Sequence, residues 1–145
     1  MNFYSNKLSS KKYLKVIRGK KKLSREYILQ NFGSLMGDRS LFKFLVCFEL
    51  LKKTKKIKGD IIEFGVWNGN NLLSLKKIHD YLNLNKKIIG YDHFKGMPKN
   101  SRDFYRNSFH GDIRFLKKLI KFFEFKNLRL INDDILNLKN NLNIF

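Results

Sequence analysis

The chain has 145 residues, 43% of them apolar and 30% charged, and a formal net charge of +19 at pH 7. That length suits one domain with enough apolar content for a core, which argues against wholesale disorder. No run approaches the ~18 apolar residues of a membrane span, no unbroken apolar stretch of a signal peptide follows the basic N-terminus, and the single Cys47 excludes an internal disulfide framework and a cysteine-based zinc site.

These features make the cytoplasm the expected compartment. Residues 1–24 are expected to form a basic arm, either a tail or a short surface helix, and residues 25–145 the folded domain. Lys7 to Arg25 holds nine basic residues and no acid. The excess is mostly lysine in a chain also rich in asparagine and isoleucine, a mixture that an A/T-rich coding sequence produces whatever the protein binds. No basic element with interleaved aromatics stands out, so weak contact with polyanions is expected and no specific nucleic-acid partner.

Asp38 is a candidate helix cap, and Leu41, Phe44, Leu45, Phe48 and Leu51 follow at helical spacing, predicting a helix over 39–55. Cys47 widens this stripe and reads as a buried core thiol. Asp60 to Val66 is a short β-branched run between glycines, which predicts a buried strand over 60–66. Asn68 to Asn71 is a turn. Leu72, Leu73, Leu75, Ile78, Tyr81 and Leu82 predict a helix over 71–83. A second strand is expected over 87–92, ending on Asp92, and then a loop at Lys95 to Pro98. Asp112 is a candidate cap for a helix over 112–124, with Ile113, Leu116, Leu119, Ile120 and Phe123 on one face. A third strand over 127–132 precedes Asp133 and Asp134.

Alternating strands and helices at this spacing predict an α/β fold with a parallel, Rossmann-like sheet. Ligands in such sheets bind beyond the carboxyl ends of the strands, and Glu63, Asp92 and Asp134 each lie at or just beyond such an end. Gly65 and Gly69 lie four apart in the turn after the first strand. A pyrophosphate site calls for Gly-x-Gly-x-x-Gly there; this turn lacks the third glycine, and Glu63 would repel phosphate. A carboxylate suits a cation instead. S-adenosylmethionine carries an ammonium and a sulfonium and no phosphate. Asp92 is placed to accept from ribose hydroxyls and Asp134 from the adenine amine.

The stretch Gly59 to Gly69, with Glu63-Phe64-Gly65-Val66-Trp67-Asn68-Gly69, and the stretch Gly90 to Pro98, with Asp92-His93-Phe94-Lys95-Gly96-Met97-Pro98, together resemble the paired signatures of the macrocin O-methyltransferase (TylF-type) family. Gly33 to Arg39 is similar to that family's segment before the first strand. The resemblance covers about residues 25–138. It implies the N-terminal half of a class I methyltransferase fold, and an S-adenosylmethionine-dependent O-methyltransferase acting on a sugar or natural-product hydroxyl. Glu63, Gly65 and Gly69 would then belong to the methionine-side loop, Asp92 to the ribose and Asp134 to the adenine. His93 stands where the family has Ser or Thr and reads as a loop residue.

The family also implies Mg²⁺, but its metal-binding carboxylates and catalytic base come from segments after a fourth strand, and no residue here matches them. The chain is accordingly expected to be a truncated form whose catalysis requires further segments. The alternative is a non-catalytic, truncated Rossmann-like binding or interaction module that associates with another chain or with a polyanion; the protein partners expected are further copies of the chain or a second chain. The third strand is expected to lack an outer neighbour.

Overall fold

A computed structural model describes residues 24–36 and 38–138 of the chain. All of the basic arm except Ser24 lies outside these residues. The chain divides into two compact units, Met1–Val46 and Cys47–Phe145.

In the first unit, α1 (Arg25–Gln30) is capped by Ser24, whose hydroxyl accepts the Tyr27 amide at 3.0 Å. The short α2 (Phe32–Leu35) follows directly. Neither helix is evident in the sequence pattern, because each is too short to show an apolar period. The long helix α3 (Asp38–Lys53), which runs through residues of both units, takes in Asp38, the expected cap, and ends two residues before the expected 55; it carries Lys52 and Lys53 in its last turn, where cations suit the negative end of the helix dipole. The Asp38 side chain lies outside the described ones.

The second unit holds β1 (Ile61–Phe64), α4 (Asn70–Tyr81), β2 (Ile88–Asp92), α5 (Ile113–Phe122) and β3 (Leu128–Asn132). Each falls within two residues of its predicted ends. The sheet order is β1-β2-β3 and both pairings are parallel, with Glu63 beside Gly90 and Asp92 beside Asn132. Parallel neighbours need crossovers, which α4 and α5 supply. Among the described residues, β1 and β3 each have one unpaired side, where the sequence suggested this for β3. The β3 edge exposes Arg129 and Asn132, whereas β1 has half-buried Ile61 and Ile62 and an exposed Phe64. A charged edge discourages further pairing, so β1 is the more adhesive of the two.

Packing follows the helical stripes. Val66, Leu72, Leu73, Ile88, Phe94 and Leu116 form the main core, and Leu51, Leu75 and Leu84 a second cluster. Leu72, Ile88 and Leu116 are completely buried, each worth roughly 1.5–3 kcal/mol relative to exposure. At Gly90 a Cβ would come within 2.6 Å of Leu72, so the bare backbone of β2 is what lets α4 lie against the sheet. Four stripe residues do not join the core: Leu41, Leu45, Tyr81 and Phe123 are exposed. Cys47 is half-buried rather than buried, with its thiol 3.9 Å from Asn71 Oδ1.

Candidate cofactor site

The carboxyl ends of the three strands open into one cavity of about 760 Å³. Gly65 and Trp67 line it after β1, Tyr91, Asp92 and His93 at the end of β2, and Asp133 to Leu136 after β3. A smaller polar hollow of about 260 Å³ adjoins it, lined by His93, Lys95 and the segment after β3. Of the residues singled out from sequence, Gly65, Asp92 and Asp134 therefore share the large cavity. Glu63 is half-buried within β1 and Gly69 is buried at the start of α4, and neither lines it.

Gly65 adopts φ +80°, a backbone conformation that a side chain rarely takes, and a Cβ there would meet nothing within 4 Å. It leaves open space where a ligand can approach the main chain. Gly69 serves the fold instead. It sits at φ +78° at the N-terminus of α4, and a Cβ would lie 2.4 Å from Leu116 Cδ1. Its hydrogen allows the loop after β1 to seat on α5.

Asp92 is a clasp as well as a strand end. Its Oδ2 accepts the Trp67 amide and its Oδ1 the Phe94 amide, each at 2.7 Å. One carboxylate thereby ties the loop after β1 to the loop after β2. Each carboxylate oxygen can accept more than one hydrogen bond, and the side chain keeps 13% exposure. Asp92 can thus hold the loops and still accept from a ligand hydroxyl.

His93 Nδ1 accepts the Lys95 amide at 3.0 Å. That is the two-residue turn bond a Ser or Thr hydroxyl also makes.

After β3, Asp133 Oδ1 accepts the Asp134 amide at 2.7 Å and the Asn137 side-chain amide at 2.8 Å. Asp134 Oδ1 accepts the Leu136 amide at 3.0 Å, and its carbonyl accepts the Tyr91 hydroxyl at 3.0 Å. These bonds fix the strand-end carboxylates beside the apolar side chains of Ile135 and Leu136. An apolar shelf next to a fixed carboxylate suits a flat heterocycle with an exocyclic amine.

Sequence reasoning missed the segment 93–112. It is a folded excursion rather than a simple loop. The Met97 amide donates to the Ser108 carbonyl and the Asn107 amide to the Met97 carbonyl, both at 2.8 Å, and the Gly111 amide returns to the Phe94 carbonyl at 3.1 Å. This brings Phe109 into the cavity wall, edge-on to Trp67 with ring centroids 5.6 Å apart. The length of the segment between β2 and α5 was the available signal; its closing bonds are backbone contacts that leave no mark in residue type.

S-adenosylmethionine fits this donor set. Carboxylates line the β2 and β3 ends, Gly65 leaves the main chain approachable, and no three-glycine phosphate cradle is present. Among the described residues no group of three His, Cys, Asp or Glu side chains is placed to hold a metal ion.

A sequence model of the macrocin O-methyltransferase (TylF) family matches residues 8–136. The chain belongs to the macrocin O-methyltransferase family. Among curated protein sequences none matches it. Similar solved structures include one titled CalS11, calicheamicin methyltransferase, with a TM-score of 0.69 at 18% identity over 93% of this chain. Another is an apo structure of CalS11 titled TDP-rhamnose 3′-O-methyltransferase, with a TM-score of 0.63 at 18% identity over 88% of this chain. At this identity they show a shared Rossmann-like fold. The chain spans 62% and 55% of the length of those two structures. The family match does not favour a binding module unrelated to methyl transfer. Among the described residues no helix is long and apolar enough to cross a membrane.

Proposed function

We propose that this chain carries the S-adenosylmethionine-binding part of an O-methyltransferase that acts on a hydroxyl of a sugar or natural product. The observation that carries this reading is the convergence of Gly65, Asp92 and Asp134 on one cavity at the carboxyl edge of a parallel sheet. Asp92 accepts from the ribose hydroxyls while it clasps the two loops. Asp134, with Ile135 and Leu136, takes the adenine. Gly65 lets the methionine portion lie along the main chain. Glu63, behind that loop, and Gly69, which seats it on α5, act by holding it in shape. The cofactor supplies an electrophilic methyl on a positively charged sulfur. This chain's residues contribute binding and orientation, which aligned reaction requires.

The resemblance to CalS11, together with the family, supports a sugar hydroxyl as the acceptor. No described residue is assigned as the base that takes the hydroxyl proton, and a metal requirement would rest on groups other than those described. Residues 25–145 form the binding domain in this reading, and the protein works in the cytoplasm.

Calorimetry with the 145-residue chain tests the proposal. S-adenosylmethionine and S-adenosylhomocysteine should both bind, and NAD, which carries adenosine on a pyrophosphate, should not. Binding of NAD in preference to either adenosyl compound, or of none of the three, would sink the proposal.

A further inference from the structure

The methyl-bearing sulfur of the proposed ligand needs a place in the cavity, and the strand order indicates where. Adenine is assigned to the end of β3 and ribose to the end of β2. The next group along the ligand then reaches the end of β1. The cavity there is walled by Phe64, Trp67 and Phe109. A sulfonium is a cation, and the faces of aromatic rings attract cations.

The backbone shows that this wall is held in place. Trp67 has φ +51° and Phe109 φ +64°, conformations that bulky residues rarely adopt. Such strain persists only where surrounding contacts impose it, and it gathers at ligand sites. The contacts are visible. The Trp67 amide is fixed by Asp92 at 2.7 Å. A Cβ on Gly111 would lie 2.5 Å from the Trp67 carbonyl, so the returning strand of the excursion presses directly on that residue. The Asp112 amide donates to Asn68 Oδ1 at 3.3 Å. Phe109 meets Trp67 edge-on, and Phe104 backs Phe109 at 4.8 Å. Trp67 nevertheless remains 44% exposed, so a ligand in the cavity can reach its ring. Lys99 also lines the cavity. Its ammonium suits the carboxylate at the far end of the methionine portion.

We infer that Trp67, braced by Phe109, is a specificity-determining residue that favours the cationic sulfonium ligand over its neutral, demethylated product. This inference rests on the adenosyl reading of the cavity. Its consequence is release of product: once the methyl group leaves, the sulfur is a neutral thioether and loses the attraction.

The test compares dissociation constants for S-adenosylmethionine and S-adenosylhomocysteine in the wild-type chain and in Trp67→Leu, Trp67→Tyr and Phe109→Leu. Trp67→Leu should weaken S-adenosylmethionine about two- to fivefold more than S-adenosylhomocysteine, the scale of a partly exposed cation–aromatic contact. Trp67→Tyr should keep most of the wild-type ratio, and Phe109→Leu should shift it in the same direction as Trp67→Leu. Equal weakening of both compounds would make Trp67 only a wall and overturn the inference, as would no change in either. A wild-type chain that binds neither compound would instead overturn the adenosyl reading, and this inference with it.

Discussion

At the scale of single residues, Asp92 shows how one side chain can serve fold and ligand together. Its two oxygens satisfy the amides of Trp67 and Phe94, main-chain donors that would otherwise be left unpaired at the cavity. Asp92→Ala should therefore do two things. It should lower stability by about 1.5–3 kcal/mol, the net worth of hydrogen bonds to a charged group. It should also weaken S-adenosylmethionine by a factor of about ten or more, since a ligand hydroxyl loses its acceptor. Urea denaturation and calorimetry on the same preparation check both. Undiminished affinity would leave Asp92 as a loop clasp alone. The carboxylate at this position was legible in the sequence as a strand end facing a ligand. Its clasp was not, because the Trp67 amide is 25 residues away and no residue type announces a main-chain donor.

At the scale of elements, the C-terminal half of α4 carries a buried polar cluster at the opposite end of the sheet from the cavity. Lys76 and His79 are both buried, and both meet Asp80 Oδ1, His79 Nδ1 at 2.9 Å. His79 Nε2 lies 2.9 Å from the Lys86 carbonyl, at the entry to β2. The Lys76 ammonium also stands 5.4 Å from the centre of the Phe125 ring. Burial pushes the Asp80 carboxyl up, but the hydrogen bonds and charges of Lys76 and His79 outweigh it and hold the carboxyl below its ordinary value of 3.8. A depressed carboxyl stabilises the folded chain above its unfolded value and loses that contribution as pH falls through the folded one. Asp80→Asn should therefore be less stable than wild type at pH 7, and the difference should shrink as pH is taken below 3.8. Urea midpoints at pH 7 and pH 3 measure it. A difference that stays constant between the two would show that Asp80 acts through packing. In the sequence, Lys76, His79 and Asp80 read only as polar positions among the leucines of a helix. A period of 3.6 assigns the apolar face, but it does not reveal which polar residues at the margins of that face are covered by a neighbouring strand.

At the scale of the whole molecule, the charge of +19 coexists with a site lined by carboxylates. A basic chain of this kind should retain polyanions loosely and without sequence preference, through release of counterions. Fluorescence anisotropy with random duplex DNA should give dissociation constants of about 10⁻⁴–10⁻⁶ M, weakening steeply with added salt. Strong discrimination between DNA sequences would point to a dedicated nucleic-acid surface. S-adenosylmethionine at saturation should leave the DNA affinity unchanged, because Lys99 is the one lysine among the described residues that lines the cavity.

The same contrast of scales separates what was determined locally from what was decided by assembly. The strand–helix alternation, the parallel sheet and the three strand-end acids follow from short-range pattern. β-branched runs between glycines make strands, leucines at helical spacing make helices, and such alternation leaves right-handed crossovers as the economical solution. The motif stretches at Glu63–Gly69 and Asp92–Pro98 placed the chain in its family, which the match over residues 8–136 shows. Only the tertiary structure decided that Glu63 and Gly69 stand behind the cavity rather than in its wall, that Asp92 is a double clasp, and that the 93–112 excursion folds back to set Phe109 against Trp67. These depend on positive backbone dihedrals, main-chain donors and contacts between distant segments. Such features are settled by what each segment meets when the chain closes on itself, and residue order alone does not display them.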